Sequence, residues 1–117
     1  MKRVFGVAAG LGVFIVVITL VETLGGKLFP GATPQHVPLG ALFLVLAGWN
    51  VGSFAGGYTA AKISESRRPA LILGILGTAV AVLNNVMVPP PAWFWALSFL
   101  CFVPPAWAAA RLAAPPA

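Results

Sequence analysis

The run from Val4 to Val21, VFGVAAGLGVFIVVITLV, carries no charged residue, and its reading decides the fold. A stretch of this length matches what an α-helix needs to cross a hydrocarbon core ~30 Å thick at ~1.5 Å per residue. Lys2 and Arg3 precede it, and a basic start before an apolar stretch is shared with secretory signals. Three features point instead to a retained helix: the run exceeds the usual signal core, Glu22 follows it directly, and no Ala-x-Ala site stands before Gly25 or Gly26.

Charges and prolines set off further apolar segments downstream, giving four candidate spans: Val4 to Leu24, Leu39 to Ala61, Ala70 to Val88 and Ala92 to Ala110. Each is close to the ~20 residues of a membrane-crossing helix. They are joined by a Pro/Gly-rich loop (Gly25 to Pro38), a charged loop (Lys62 to Pro69) and a proline turn (Pro89 to Pro91). Spanning backbone must satisfy its own hydrogen bonds, and the strand patterning of a closed β-barrel is missing. The expectation is therefore an all-α, polytopic four-transmembrane-helix bundle, a single membrane domain over residues 1–117. The two halves share no convincing residue pattern, so no internal repeat is assigned.

Composition agrees. A chain that is 60% hydrophobic and 8% charged has too little polar surface to cover a soluble globule. Its net charge of +5 is not a nucleic-acid footprint, because the basic residues sit singly or in pairs at the edges of apolar runs. They read as membrane-edge anchors, and the lipid bilayer is the first expected partner. Cys101 is the single cysteine, which excludes a disulfide within the chain.

Lys2 and Arg3 lie before the first segment, Lys62, Arg67 and Arg68 between the second and third, and Arg111 after the fourth, with only Lys27 on the other side. Positive residues near helix ends are retained on the cytoplasmic side. Both termini are thus expected in the cytoplasm (N-in/C-in), with one fixed insertion. Trp93 and Trp95 then fall in the outer aromatic belt and Trp107 near the inner one.

Gly48, Gly52, Gly56 and Ala60 recur every fourth residue and share one face of the second helix. Small residues at this spacing let another helix approach closely. They serve either as internal glue of a monomer or as the seam of a homo-oligomer. Gly6 with Gly10, and Gly74 with Thr78, offer weaker faces of the same kind. Pro104 and Pro105 remove two backbone donors late in the fourth segment, so that helix is expected to kink or loosen about one turn earlier.

Few residues can carry chemistry. Glu22 is an ionisable group about one turn from the outer end of the first helix, a functional candidate by default; alternatively it is hydrated or paired with Lys27. Asn84, Asn85 and Ser98 fall at a depth comparable with Glu22 and Thr19, so a shared polar cluster in the outer half is expected to be geometrically accessible. Asn50 lies near the middle of the second helix, where an unpaired amide costs several kcal/mol, and it must find a partner. The competing reading for the asparagines is interhelical hydrogen bonding that fixes register. His36, in the outer loop, has no second histidine or nearby cysteine or aspartate, and no metal or cofactor is expected. No Ser-His-Asp set, acidic metal cluster or phosphate-binding glycine loop occurs, so no enzyme activity is expected.

At Glu22 to Pro30 (ETLGGKLFP), Phe54 to Lys62 (FAGGYTAAK) and Pro90 to Trp95 (PPAWFW), the chain resembles an uncharacterised family of short bacterial four-helix integral membrane proteins. The likeness covers nearly the whole length and implies a bacterial inner membrane. It maps the family's first-helix glutamate to Glu22, its Phe/Tyr-Pro pair to Phe29 and Pro30, and its Ala-Gly-Gly-Tyr stretch to Ala55 through Tyr58. Relatives often carry a histidine four residues after the glutamate; Gly26 stands there in this chain. By length, helix count and the glutamate, the chain is also similar in architecture to small multidrug-resistance transporters.

Two functions are open at this point. One is a non-enzymatic bundle that acts through helix packing, as a homo-oligomer or as an accessory subunit of a membrane complex. The other is a proton- or cation-linked transporter or channel that uses Glu22, assisted by Asn84 or Asn85.

Overall fold

The computed structural model describes residues 2–31, 38–87 and 90–114. His36, with the rest of 32–37, lies outside the described residues, as do Val88, the end of the expected third span, and Pro89 of the proline turn. Among the described residues the chain is all-helical: α1 (Lys2–Leu28), α2 (Leu39–Ser64), α3 (Arg68–Met87), α4 (Ala92–Ser98) and α5 (Val103–Ala113). Four stretches are long and apolar enough to cross a membrane, the last being α4 and α5 taken together over Ala92–Ala113. The long axis is 44 Å, close to the ~40–45 Å of a bilayer with its headgroups.

α1 does not stop at Leu24. It runs through Gly25 and Gly26 to Leu28, and the Phe29 amide still donates to the Gly25 carbonyl at 2.8 Å. Two helical glycines cost about 1 kcal/mol each, but in apolar surroundings an unpaired backbone group costs more. α2 likewise continues to Ser64. It closes on Glu65 in the left-handed region (φ 57°, ψ 31°), and the Ser66 amide reaches back to the Ala61 carbonyl at 3.3 Å. That is a Schellman closure made without glycine.

The fourth span is broken. Pro104 and Pro105 sit in the first turn of α5 and cannot donate to the carbonyls of Leu100 and Cys101. The chain tightens instead into i→i−3 bonds, Leu100 to Leu97 at 3.0 Å and Cys101 to Ser98 at 3.1 Å. The helix resumes with Ala106 donating to Phe102 at 3.0 Å. The interruption at 99–102 therefore lies one turn before the prolines.

α2 is the central helix. Its Gly48, Gly52, Gly56 and Ala60 are all filled by α1, which runs antiparallel to it. A Cβ added at Gly10 would stand 2.5 Å from the Gly56 oxygen, and one at Gly6 2.7 Å from the Ala60 oxygen. Gly52 faces Phe14 and Gly48 faces Val21. The small-residue face of α2 is thus packed against α1 of the same chain, the first of the two roles its spacing allowed. On another side of α2, Gly57 admits the backbone of Ala106 and, on α3, Gly74 admits that of Val103, so α5 enters between α2 and α3. Trp49, Phe94 and Phe102 form the aromatic centre, with ring separations of 5.5 Å (Trp49 to Phe94) and 5.3 Å (Trp49 to Phe102).

The ends differ in charge. Lys2 meets Glu65 at 3.0 Å, and Arg67 Nε donates to the Ala114 carbonyl at 3.2 Å. The start of α1, the α2–α3 connection and the close of α5 are thereby gathered at one end. Lys2, Arg3, Lys62, Arg67, Arg68 and Arg111 all belong to it, with Glu65 as their one carboxylate, and Lys27 is at the other.

Candidate functional site

The polar side chains sort into two groups. The first ties down the broken span. Asn50 Nδ2 donates to the Leu46 carbonyl at 3.0 Å and to Cys101 Sγ at 3.1 Å, and Cys101 Sγ–H donates in turn to the Leu97 carbonyl at 3.2 Å. One turn earlier the pattern repeats from the opposite helix. Asn85 Nδ2 donates to Ser98 Oγ at 3.2 Å, and Ser98 Oγ–H donates to the Phe94 carbonyl at 2.6 Å. Ser98 and Cys101 are three residues apart and share a face. That face takes one asparagine amide from α2 and another from α3.

This arrangement follows from the break. A Ser or Cys that bonds back to its own i−4 carbonyl uses its hydrogen there and leaves lone pairs pointing away from the helix. An asparagine on a neighbour can supply the donor. Asn85 and Ser98 are 1% and 2% exposed, so both bonds of that ladder lie in dry surroundings, where an unmade one costs the most. Among the described residues, Asn85 Oδ1 and the Ser53 hydroxyl find no hydrogen-bond partner although both are buried. Exchanging the Asn85 amide's oxygen and nitrogen gives no relief, because Ser98 has already spent its hydrogen on Phe94.

The second group is Glu22 and its surroundings. Extension of α1 to Leu28 sets Glu22 six residues, about 9 Å, below the helix end. Glu22 is exposed on α1 and lines a cleft of ≈ 260 Å³ between the halves of α1 and α2 farther from the basic end, with Ile18, Val21, Phe29, Leu44 and Trp49 among its walls. The Glu22–Lys27 pair does not form among the described residues, where the one ion pair is Lys2–Glu65. The reason is geometric: with both residues on one continuous helix, a separation of five positions puts them about 140° apart around its axis.

The outer polar cluster expected from depth is therefore split. Asn85 and Ser98 come together; Glu22 does not join them. Asn84 is exposed, and Thr19 is exposed with its carbonyl taking the Thr23 hydroxyl at 2.9 Å. Among the described residues no three His, Cys, Asp or Glu side chains converge. Sequence reasoning missed Cys101 as the partner of Asn50. Counting along each helix held the signal, since Asn50 is the twelfth residue of α2 and Cys101 the tenth from the start of α4, at nearly equal depth from the same end.

Compared with known proteins, the chain matches no family model, and neither a curated protein nor a solved structure matches it.

Proposed function

We propose that this chain is a small, non-enzymatic multipass protein of the bacterial inner membrane, with both termini cytoplasmic. It acts through helix packing, as a homo-oligomer or as an accessory subunit of a membrane complex. The concentration of basic residues at one end supports that orientation. The likeness at Glu22 to Pro30 and Phe54 to Lys62 supports the compartment.

The observation that carries the packing role is the outward face of α1. Gly12, Ile15, Thr19, Glu22 and Gly26 recur at steps of three and four residues, and all are exposed. Gly12, Ile15 and Thr19 lie roughly opposite Gly6 and Gly10, which face α2, while Glu22 and Gly26 also border the cleft toward α2. A Cβ added at Gly12 or Gly26 meets nothing within 4 Å, so nothing inside the chain requires glycine there. Lipid contact gains nothing from the absent side chains of Gly12 and Gly26, and a carboxylate at that depth is costly. A second helix laid on this face uses the small residues for close approach and covers Glu22. Self-association therefore moves from α2 to α1. Photo-crosslinking from Thr19 in native membranes is expected to give a discrete adduct, with itself or with one other membrane protein, that Gly12→Leu removes. A chain that stays monomeric and adduct-free at every density sinks this role.

A second reading rests on the cleft. An ionisable side chain among apolar walls in the outer half suits a proton- or cation-linked transporter or channel built on Glu22. In proteoliposomes such a protein carries a cation flux driven by a pH gradient, and Glu22→Gln abolishes it. Equal flux through wild type, variant and protein-free vesicles ends that reading.

A further inference from the structure

At the basic end of the bundle a shallow groove of ≈ 420 Å³ lies between the start of α1 and the end of α2, lined by Lys2, Val4, Phe5, Ala8 and Ile63. Its walls are apolar except at the mouth, where Lys2 stands. Val4 and Phe5 are 68% and 67% exposed, so the groove faces outward. Arg3 and Lys62, chain neighbours of two lining residues, are exposed too. Glu65 is the one carboxylate at this end and is already matched by Lys2 at 3.0 Å. Arg3 and Lys62 leave this end of the groove with a net positive charge.

We infer that this groove seats an acyl chain of an anionic phospholipid, whose phosphate is held by Lys2, Arg3 and Lys62. The inference rests on the reading of the chain as a membrane protein with this end at a bilayer surface. Two properties coincide here. A cluster of lysine and arginine at a membrane edge attracts acidic headgroups, and the groove that begins beside Lys2 runs along α1 toward the apolar middle of the helix as far as Ala8. A soluble anion uses the first property alone. A zwitterionic lipid uses the second and only weakly the first, because its own ammonium offsets its phosphate. An anionic phospholipid uses both, and Lys2 can serve it without releasing Glu65, since an ammonium has three donors. The site lies on the inner half of α1, clear of the Gly12 to Gly26 face.

The test is native mass spectrometry of the full chain released from micelles holding equal amounts of phosphatidylglycerol and phosphatidylcholine. Wild type is expected to retain one phosphatidylglycerol, favoured about 10-fold over phosphatidylcholine. Ala8→Phe fills the groove without changing charge at an exposed position, and Arg3→Gln with Lys62→Gln removes headgroup partners while leaving the groove. The double variant is expected to lower the preference to about 2-fold or less, and Ala8→Phe to lose most of the retained phosphatidylglycerol. Equal retention of the two lipids by wild type overturns the inference, and so does undiminished phosphatidylglycerol retention in Ala8→Phe. Flotation with vesicles of either composition reads the membrane assignment separately: a chain that does not float fails that assignment, whereas one that floats without lipid preference fails the groove alone.

Discussion

α2 holds its neighbours by two unlike means. Toward α1 it offers glycine, and the backbones come so close that Gly10 and Gly56 leave no room for a methyl group on either side. None of the described side-chain hydrogen bonds joins those two helices. Toward the fourth span it offers Asn50, which reaches a thiol at the point where that span is interrupted, and α3 does the same with Asn85 one turn away. Two regular helices can lie on each other by shape alone. A helix cut by prolines has lost the continuity that fixes its rotation and register, and polar contacts at the cut restore it.

The contrast can be broken most forcefully at the glycine seam. Gly10→Leu drives a side chain into the Gly56 carbonyl, where only backbone movement gives relief, and is expected to cost about 3 kcal/mol or more. Reversible unfolding in mixed micelles checks this, and a loss under about 1 kcal/mol would mean that the helices do not meet as described. The polar seam is expected to be softer. Asn50→Ala and Cys101→Ala each cost about 1 kcal/mol, with a coupling near 0.5 kcal/mol between them, in the range of interhelical hydrogen bonds in membranes. A double-mutant cycle with zero coupling removes the tie. Smallest of all is the effect of Gly12→Leu on folding, within about 0.5 kcal/mol, because nothing lies near that position. Unfolding measured at dilution, where self-association is absent, isolates this term. A large loss there would place the open face of α1 inside the fold.

Much of the architecture was legible in the sequence because apolar run length speaks directly to helix length. The break in the fourth span was equally readable from Pro104 and Pro105, whose missing donors act one turn upstream whatever surrounds them. Helix ends were less so: nothing local to Gly25 and Gly26 says that the helix continues, since the drive to keep backbone groups paired is set by the surroundings. The Gly48 to Ala60 face was legible as a packing face, but its partner was not. Small residues state that something packs closely and not whether it belongs to the same chain, and the register Gly10 to Gly56 exists only once the helices are brought together. Asn50 was correctly expected to need a partner, but a thiol is a weak acceptor and Cys101 drew no notice. Glu22 stayed ambiguous because its depth depended on where α1 stops.

The slot between Gly57 on α2 and Gly74 on α3 sets an order of events during synthesis. The close backbone contacts between α1 and α2, Gly6 with Ala60 and Gly10 with Gly56, lie wholly within the first 64 residues, so that pair can close before α5 is made. The place for α5 is made of two walls, and the second wall is not complete until α3 is in position. The interrupted last span, the piece least able to hold its own shape, is thus also the piece that arrives after its mould is finished.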